Sequence, residues 1–204
     1  MKNILTQILT FATLSATAWA APQTFDFKDP KGVNNVVFKL DAPLEAINGS
    51  ASGISGTIRF DPANPSATTG KITVAAASLH VPNPVMKEHL LGEQWMDVAK
   101  FPELTFEAKS LGEVSTKDNV TTGTVKGTFT ARGVAKDISL PVKLTYLKDK
   151  LGARTGGQAQ GDLLVLRADF RILRSDFGIN PKAPDDKVAN EIDLTLSLAG
   201  ASPR

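Results

Sequence analysis

The chain has no cysteine, one tyrosine and two histidines, and its aromatics amount to 6% of the residues. Without cysteine there is no disulfide, no thiolate metal ligand and no lipid-modified cysteine, so stability must come from burial alone. Two histidines, His80 and His89, nine positions apart, fall short of the three or four convergent ligands a metal site needs. Charge of one sign is also missing: 23 basic residues face 21 acidic ones. The nearest thing to a basic run, Arg167, Arg171 and Arg174, is interleaved with Asp162, Asp169 and Asp176. A nucleic-acid surface calls for a basic face with stacking aromatics, and neither is present. No long apolar run occurs beyond the first twenty residues, and no repeat of 20 to 50 residues or Pro/Gly/Ser linker divides the chain. One domain is expected.

What the chain does have is an export-like start and a period of two. Lys2 precedes a mostly apolar or small stretch from Ile4 to Trp19, and Ala18-Trp19-Ala20 fits a small-x-small cleavage site. The stretch is broken by Thr6, Gln7 and Thr10, which is thin for a membrane span. Residues 1–20 therefore read as a signal peptide and 21–204 as the mature domain, periplasmic or secreted. Losing Lys2 changes the formal charge from +2 to +1.

The alternation is clearest from Gly127 to Leu144, which reads as two strands folded about Arg132-Gly133. Ile138, Leu140, Val142 and Leu144 fall on one face, with Ser139, Pro141, Lys143 and Thr145 on the other. Such a period means one buried and one solvated face. Further strands are expected at 35–41, 54–60, 71–81, 103–111, 120–131, 163–173 and 188–199, with a loop or broken strand over 42–52. In the last, Ile192, Leu194, Leu196 and Leu198 alternate with Glu191, Asp193, Thr195 and Ser197. One segment departs from the pattern. Asn83 can cap a helix that has Pro84 at its first position, followed by Met86, Leu90, Leu91 and Trp95. A short helix near residues 84–97 is expected, weakened at Gly92. About eight antiparallel strands leave two architectures open, a sandwich or a closed barrel.

Three blocks in order carry a resemblance that goes further. They are His89-Leu90-Leu91 with Trp95-Met96-Asp97-Val98 and Phe101 to Phe106, then Gly127 to Leu144, then Ile172 to Ile179. Together they resemble the YceI-like family and span most of residues 55–198. The family's usual first-strand histidines are absent, with Asn34 and Asn35 in that region, and its aromatic pair before the aspartate is here Trp95-Met96. The resemblance implies an all-β fold, an eight-stranded antiparallel β-barrel similar to the lipocalins in outline. It implies an exported, non-catalytic carrier that holds a polyisoprenoid or fatty-acid derivative in its lumen, with no cofactor. It leaves room for transient membrane contact and for a homodimer.

The residues alone permit two contents for that interior, packed side chains or one slender ligand. Gly123 and Gly127 share the face of Val125 and Phe129, and Ala75-Ala76-Ala77 puts a small side chain inward, which favours unfilled space. The candidate ligand-binding residues are Ile58, Phe60, Leu90, Trp95, Met96, Phe106, Phe129, Leu140, Phe170, Ile172, Leu194 and Leu196. Alternative functions are an isoprenoid quinone carrier tied to respiration and a dry-core barrel acting through its surface. A lipid-ester hydrolase is disfavoured, since no G-x-S-x-G elbow occurs. Asp176-Phe177-Gly178 matches a kinase magnesium motif in letters only; Phe177 is expected to plug one barrel end with Gly178 allowing the turn, and Arg174 and Asp176 to tie that turn to a neighbour by ordinary structural ion pairing. Asp97 with Glu103, and Ser78 or Ser175, lack partners at catalytic spacing. Asn48-Gly49-Ser50 and Asn119-Val120-Thr121 are chance-level sequons.

Overall fold

A computed structural model describes residues 22–204. The expected signal peptide lies outside the described residues. Ten antiparallel strands form one sheet: β1 (Gln23–Asp26), β2 (Asn35–Asp41), β3 (Ala46–Ala51), β4 (Ile54–Phe60), β5 (Thr69–Ala75), β6 (Glu103–Lys117), β7 (Val120–Ala131), β8 (Val134–Leu147), β9 (Gly161–Leu173) and β10 (Glu191–Pro203). Eight of them close into a barrel in the order β1-β4-β5-β6-β7-β8-β9-β10, sealed by β1 against β10 at Asp26 and Ala201. Closure removes the exposed edges that a sandwich would have to protect, and it settles the choice the alternation left open.

The eight closing strands are not quite the expected eight. Asn35–Asp41 lies in an additional β2–β3 hairpin that pairs with β10 from Asn35 to Lys39. The short β1, unmarked by any alternation long enough to read, takes the closing place instead. β1 and β2 thus share one edge of β10, interrupted by the loop 27–34. Asp29 organises that interruption: its carboxylate accepts from the amides of Lys31, Val33 and Asn34 and pairs with Arg154 at 3.2 Å. Asn34, 2% exposed, then stands in for a missing ladder pair. Its side-chain amide donates to the Phe27 and Ala199 carbonyls and accepts from the Ala199 amide at 2.8 Å. A buried asparagine with its bonds made in this way stabilises; left unpaired it would cost.

The helix α1 (Pro84–Leu91) starts as its capping signal requires, the Asn83 side chain accepting from the Met86 amide at 3.1 Å. It ends six residues short of the expected 97. The Gly92 amide closes it onto the Glu88 and His89 carbonyls, and Asp97 at φ 47 turns the chain away. β5 is also shorter than expected, because the Ala76–Ser78 segment winds into a 3-10 turn. A five-residue helix α2 (Leu151–Thr155) in the β8–β9 connection carries no apolar periodicity long enough to be read in advance.

The two ends of the barrel differ. At one, β1, β4, β8 and β9 contribute Phe25, Phe60, Leu144 and Leu164 to a packed cluster with Tyr146. Phe25 meets the Tyr146 ring edge-on at 6.3 Å, and Phe60 lies 6.2 Å from it. Tyr146 Oη donates to Asp162 at 2.7 Å, and Asp162 also receives the Asp149 amide and Arg204. At the other end α1, the turns over 92–101 and the loop 178–190 form a lid.

Candidate functional site

Between these ends lies a cavity of about 370 Å³, within the size range of ligand pockets. Its wall is built by the period of two: on each strand the inward residue is apolar while its neighbours face water. Val36, Phe38 and Leu40 come from β2, Ile72 and Val74 from β5, Leu104 and Phe106 from β6. Polar side chains reach it only at its margins, among them Thr68, Glu45, His89 and Arg174. Glu45 and His89 are exposed, so the cavity meets the surface beside α1 and the β2–β3 hairpin.

Eleven of the twelve residues singled out in the sequence border this space: Ile58, Leu90, Trp95, Met96, Phe106, Phe129, Leu140, Phe170, Ile172, Leu194 and Leu196. Phe60 does not. It is 1% exposed and belongs to the packed end against Tyr146, because β4 has by then descended to its pairing with Gln23. The contrast with Phe106, Phe170, Leu194 and Leu196 is informative. These four occupy inward positions between solvated neighbours, yet they are only half-buried. Their remaining surface faces the lumen, which their own side chains leave unfilled.

The room does not come from the small residues expected to supply it. A Cβ at Gly127 would lie 2.6 Å from the Phe106 ring, and one at Gly123 would lie 3.0 Å from Leu111. Those glycines admit neighbouring side chains and leave no void. Of the Ala75-Ala76-Ala77 run, Ala75 ends β5 and Ala76 and Ala77 leave the strand in a 3-10 turn. β2 and β3 extend the wall on the lid side, and the isolated Ser50–His80 bridge carries it across to the segment that follows β5.

Asp176 ties the turn to its neighbour Lys136 at 2.6 Å, and Arg174 pairs with Asp185 at 3.0 Å but does more than an ordinary ion pair. Its guanidinium is 1% exposed, borders the cavity and lies 5.9 Å from the Trp95 ring centre. It donates to the carbonyls of Ile179, Asn180, Ala183, Val188 and Ala189 and to Asp185. A buried cation is tolerable only when so fully bonded, and the result fastens the loop 178–190 over the lumen. Nothing in the local pattern distinguishes this arginine from its exposed neighbour Arg171. Phe177 is buried at the lid end, edge-on to Phe129 at 5.2 Å, with Gly178 turning at φ 63 as expected. Arg132 ties the lid from below, donating to the carbonyls of Gly178 and Glu93.

The titratable groups with displaced pKa values lie away from the lumen. Burial pushes Asp162 upward, but the Asp149 amide, the Tyr146 hydroxyl, Gln23 and Arg204 outweigh it and hold the carboxyl below its ordinary value. Asp29 behaves alike: burial raises it, and the Asn34, Lys31 and Val33 amides with Arg154 bring it lower. Both belong to structural junctions. His80 is engaged through its backbone with Ser50, while His89 sits on α1 at the cavity margin.

Known proteins share this architecture. The chain is 28% identical over 207 residues to Protein YceI of Salmonella agona (strain SL483), covering all of this chain and 99% of the relative. Burkholderia cenocepacia BcnA superposes with a TM-score of 0.65 over 81% of this chain and 95% of its own, at 21% identity. A polyisoprenoid binding domain from Saccharophagus degradans does so at 0.63 over 89% and 99%, at only 8% identity. Sharing the fold at such low identity shows how little the barrel depends on particular side chains. A YceI-like domain model matches residues 29–199, and the chain belongs to that family.

Proposed function

We propose that this protein is a non-catalytic carrier that shelters one long apolar molecule, an isoprenoid or fatty-acid-like chain, inside the barrel. The observation that carries this reading is the set of inward, half-buried apolar residues around about 370 Å³ of unfilled space. Each methylene transferred from water into such a lumen is worth about 0.8 kcal/mol. A chain of several isoprene units cannot cross an aqueous compartment unescorted. The near absence of polar side chains from the wall supports affinity for the chain with little selection of a head group. The polyisoprenoid named for the Saccharophagus degradans domain supports the same ligand class. Among the described residues the lumen lining has no serine or cysteine nucleophile, which supports binding without chemistry. The export-like start supports a periplasmic or secreted site of action, where the ligand passes between compartments.

Native mass spectrometry of freshly purified protein tests the reading. The expected spectrum shows added mass that organic extraction removes and identifies as an apolar compound. Phe170→Glu places a charge on the lumen wall, and Leu194→Trp narrows it; both are expected to abolish the added mass while circular dichroism remains that of a β-barrel. A bare chain that also takes up no prenyl or acyl probe would overturn the proposal.

A further inference from the structure

The barrel wall is uneven. β9 is paired with β10 along its whole length, from Gly161 to Leu173, and β8 with β7 from Val134 to Thr145. Between β8 and β9 the ladder runs only from Lys143 opposite Arg167 to Leu147 opposite Leu163. Among the described residues, no ladder joins 134–142 of β8 to 168–173 of β9. The change occurs at Pro141, two residues before the last pair. Proline cannot donate to a ladder and is confined within sheets to edges, strand starts and bulges, so β8 turns from an interior strand into an edge there. The unpaired stretch runs toward the lid end.

Side chains occupy this wedge. An outer pocket of about 290 Å³ is bounded by Ile138, Arg171, Ile172, Leu173, Asp176 and Phe177. Ile172 borders both that pocket and the lumen, so at this point side chains alone part inside from outside. Phe177 stands behind it on the lumen-lining Phe129. The short turn Arg174–Phe177 is held to β8 by the Lys136–Asp176 pair, whose side chains are each 41% exposed. Exposed pairs are weak and screened by salt. The lid over the barrel end is fastened far more heavily. Arg174 and Arg132 bond its carbonyls from two sides, and the Asn180 and Leu44 amides add bonds to Gln94 and Asp186.

We propose that the β8–β9 seam is a lateral entry site for an apolar chain, which slips sideways into the lumen as Ile138, Ile172 and Phe177 part. Opening there breaks no ladder hydrogen bond and one exposed ion pair, with the Arg132–Gly178 bond left as the hinge at its lid-end corner, whereas lifting the lid breaks a dense set of buried bonds. The outer pocket is apolar enough to receive the leading methylenes before they pass Ile172. This inference rests on the lumen holding an apolar ligand.

The absence of cysteine makes the test clean. Lys136→Cys with Asp176→Cys is stapled across the seam by a bifunctional maleimide with a reducible linker. Uptake and release of cis-parinaric acid, a fluorescent polyene fatty acid, are followed by stopped flow. The staple is expected to slow both rates at least tenfold at an unchanged Kd, and reduction of the linker restores them. Lys136→Met, which removes the latch without threatening the fold, is expected to speed both rates severalfold. Uptake by the stapled protein at unaltered rates would overturn lateral entry and leave the end beside α1 as the route. Failure of the unstapled protein to take up any probe would instead overturn the lumen reading itself, and lateral entry with it.

Discussion

The two ends of this barrel are made from the same strands and finish differently. At the packed end Phe25, Phe60 and Leu164 are fully enclosed, and Tyr146, Asp162 and Arg204 seal them with a bonded polar layer. Toward the lid the inward residues of β6, β9 and β10 keep accessible surface, and one side of the wall lacks its ladder. The lesson is that alternation makes a wall, while the content of the enclosed space depends on how far apart the walls stand. Stability is concentrated where the ring is tight. Where it is loose, apolar surface is left for something else to cover.

The largest effect that would test this contrast comes from paired truncations. Phe60→Ala is expected to cost about 3–5 kcal/mol, since it opens a new void in a packed region. Phe170→Ala, which only enlarges existing space, is expected to cost about 1–2 kcal/mol. Urea unfolding measures both, and equal costs would erase the distinction. Arg174→Met leaves the carbonyls of the lid loop without their donor and is expected to cost about 1–3 kcal/mol. Hydrogen exchange should place the loss in residues 179–189 and leave Asp149, whose amide bonds Asp162 at the packed end, protected.

A smaller contribution comes with pH. Asp29 and Asp162 both titrate below their ordinary value of 3.8 in the folded protein. The unfolded chain therefore binds protons first as pH falls, and the stability these groups contribute is complete well above 3.8 and is lost as pH drops through their folded values. Equilibrium unfolding between pH 6 and 3 should show this decline, and Asp162→Asn should flatten it. An effect of about the size of Phe170→Ala is expected for Gly178→Ala, where φ is 63 and a side chain is strained by about 1–2 kcal/mol. Its loss should appear in lid exchange and not in the packed end.

Much of this was legible in local residues. The alternation of Ile138, Leu140, Val142 and Leu144 placed β8, and Asn83-Pro84 placed the start of α1. Gly92 was visible as the helix's weak point, though its closing role was not. Eight of the eleven lumen-bordering positions were readable because inward means apolar on a strand, and Leu90, Trp95 and Met96 from the apolar spacing in and after α1. Phe60 has the same local signal as Phe106, and only the descent of β4 to the packed end separates them. Arg174 and Arg171 are likewise indistinguishable in sequence, three residues apart among alternating aspartates. One is buried under a loop whose carbonyls arrive from positions 179–189; the other pairs with Asp193 on the surface. Asn34 reads as a loop residue until Ala199 stands opposite it.

By itself the sequence determined eight of the ten strands, their buried faces, the helix cap and the lack of disulfide or thiolate chemistry, because each depends on residues within a few positions of one another. Only the tertiary structure decided that the ring closes through β1, that the middle is hollow, and that β8 and β9 part company at Pro141. Those are relations between segments tens to more than a hundred residues apart. A cavity is the space that distant side chains fail to fill, and no stretch of chain carries that difference within itself.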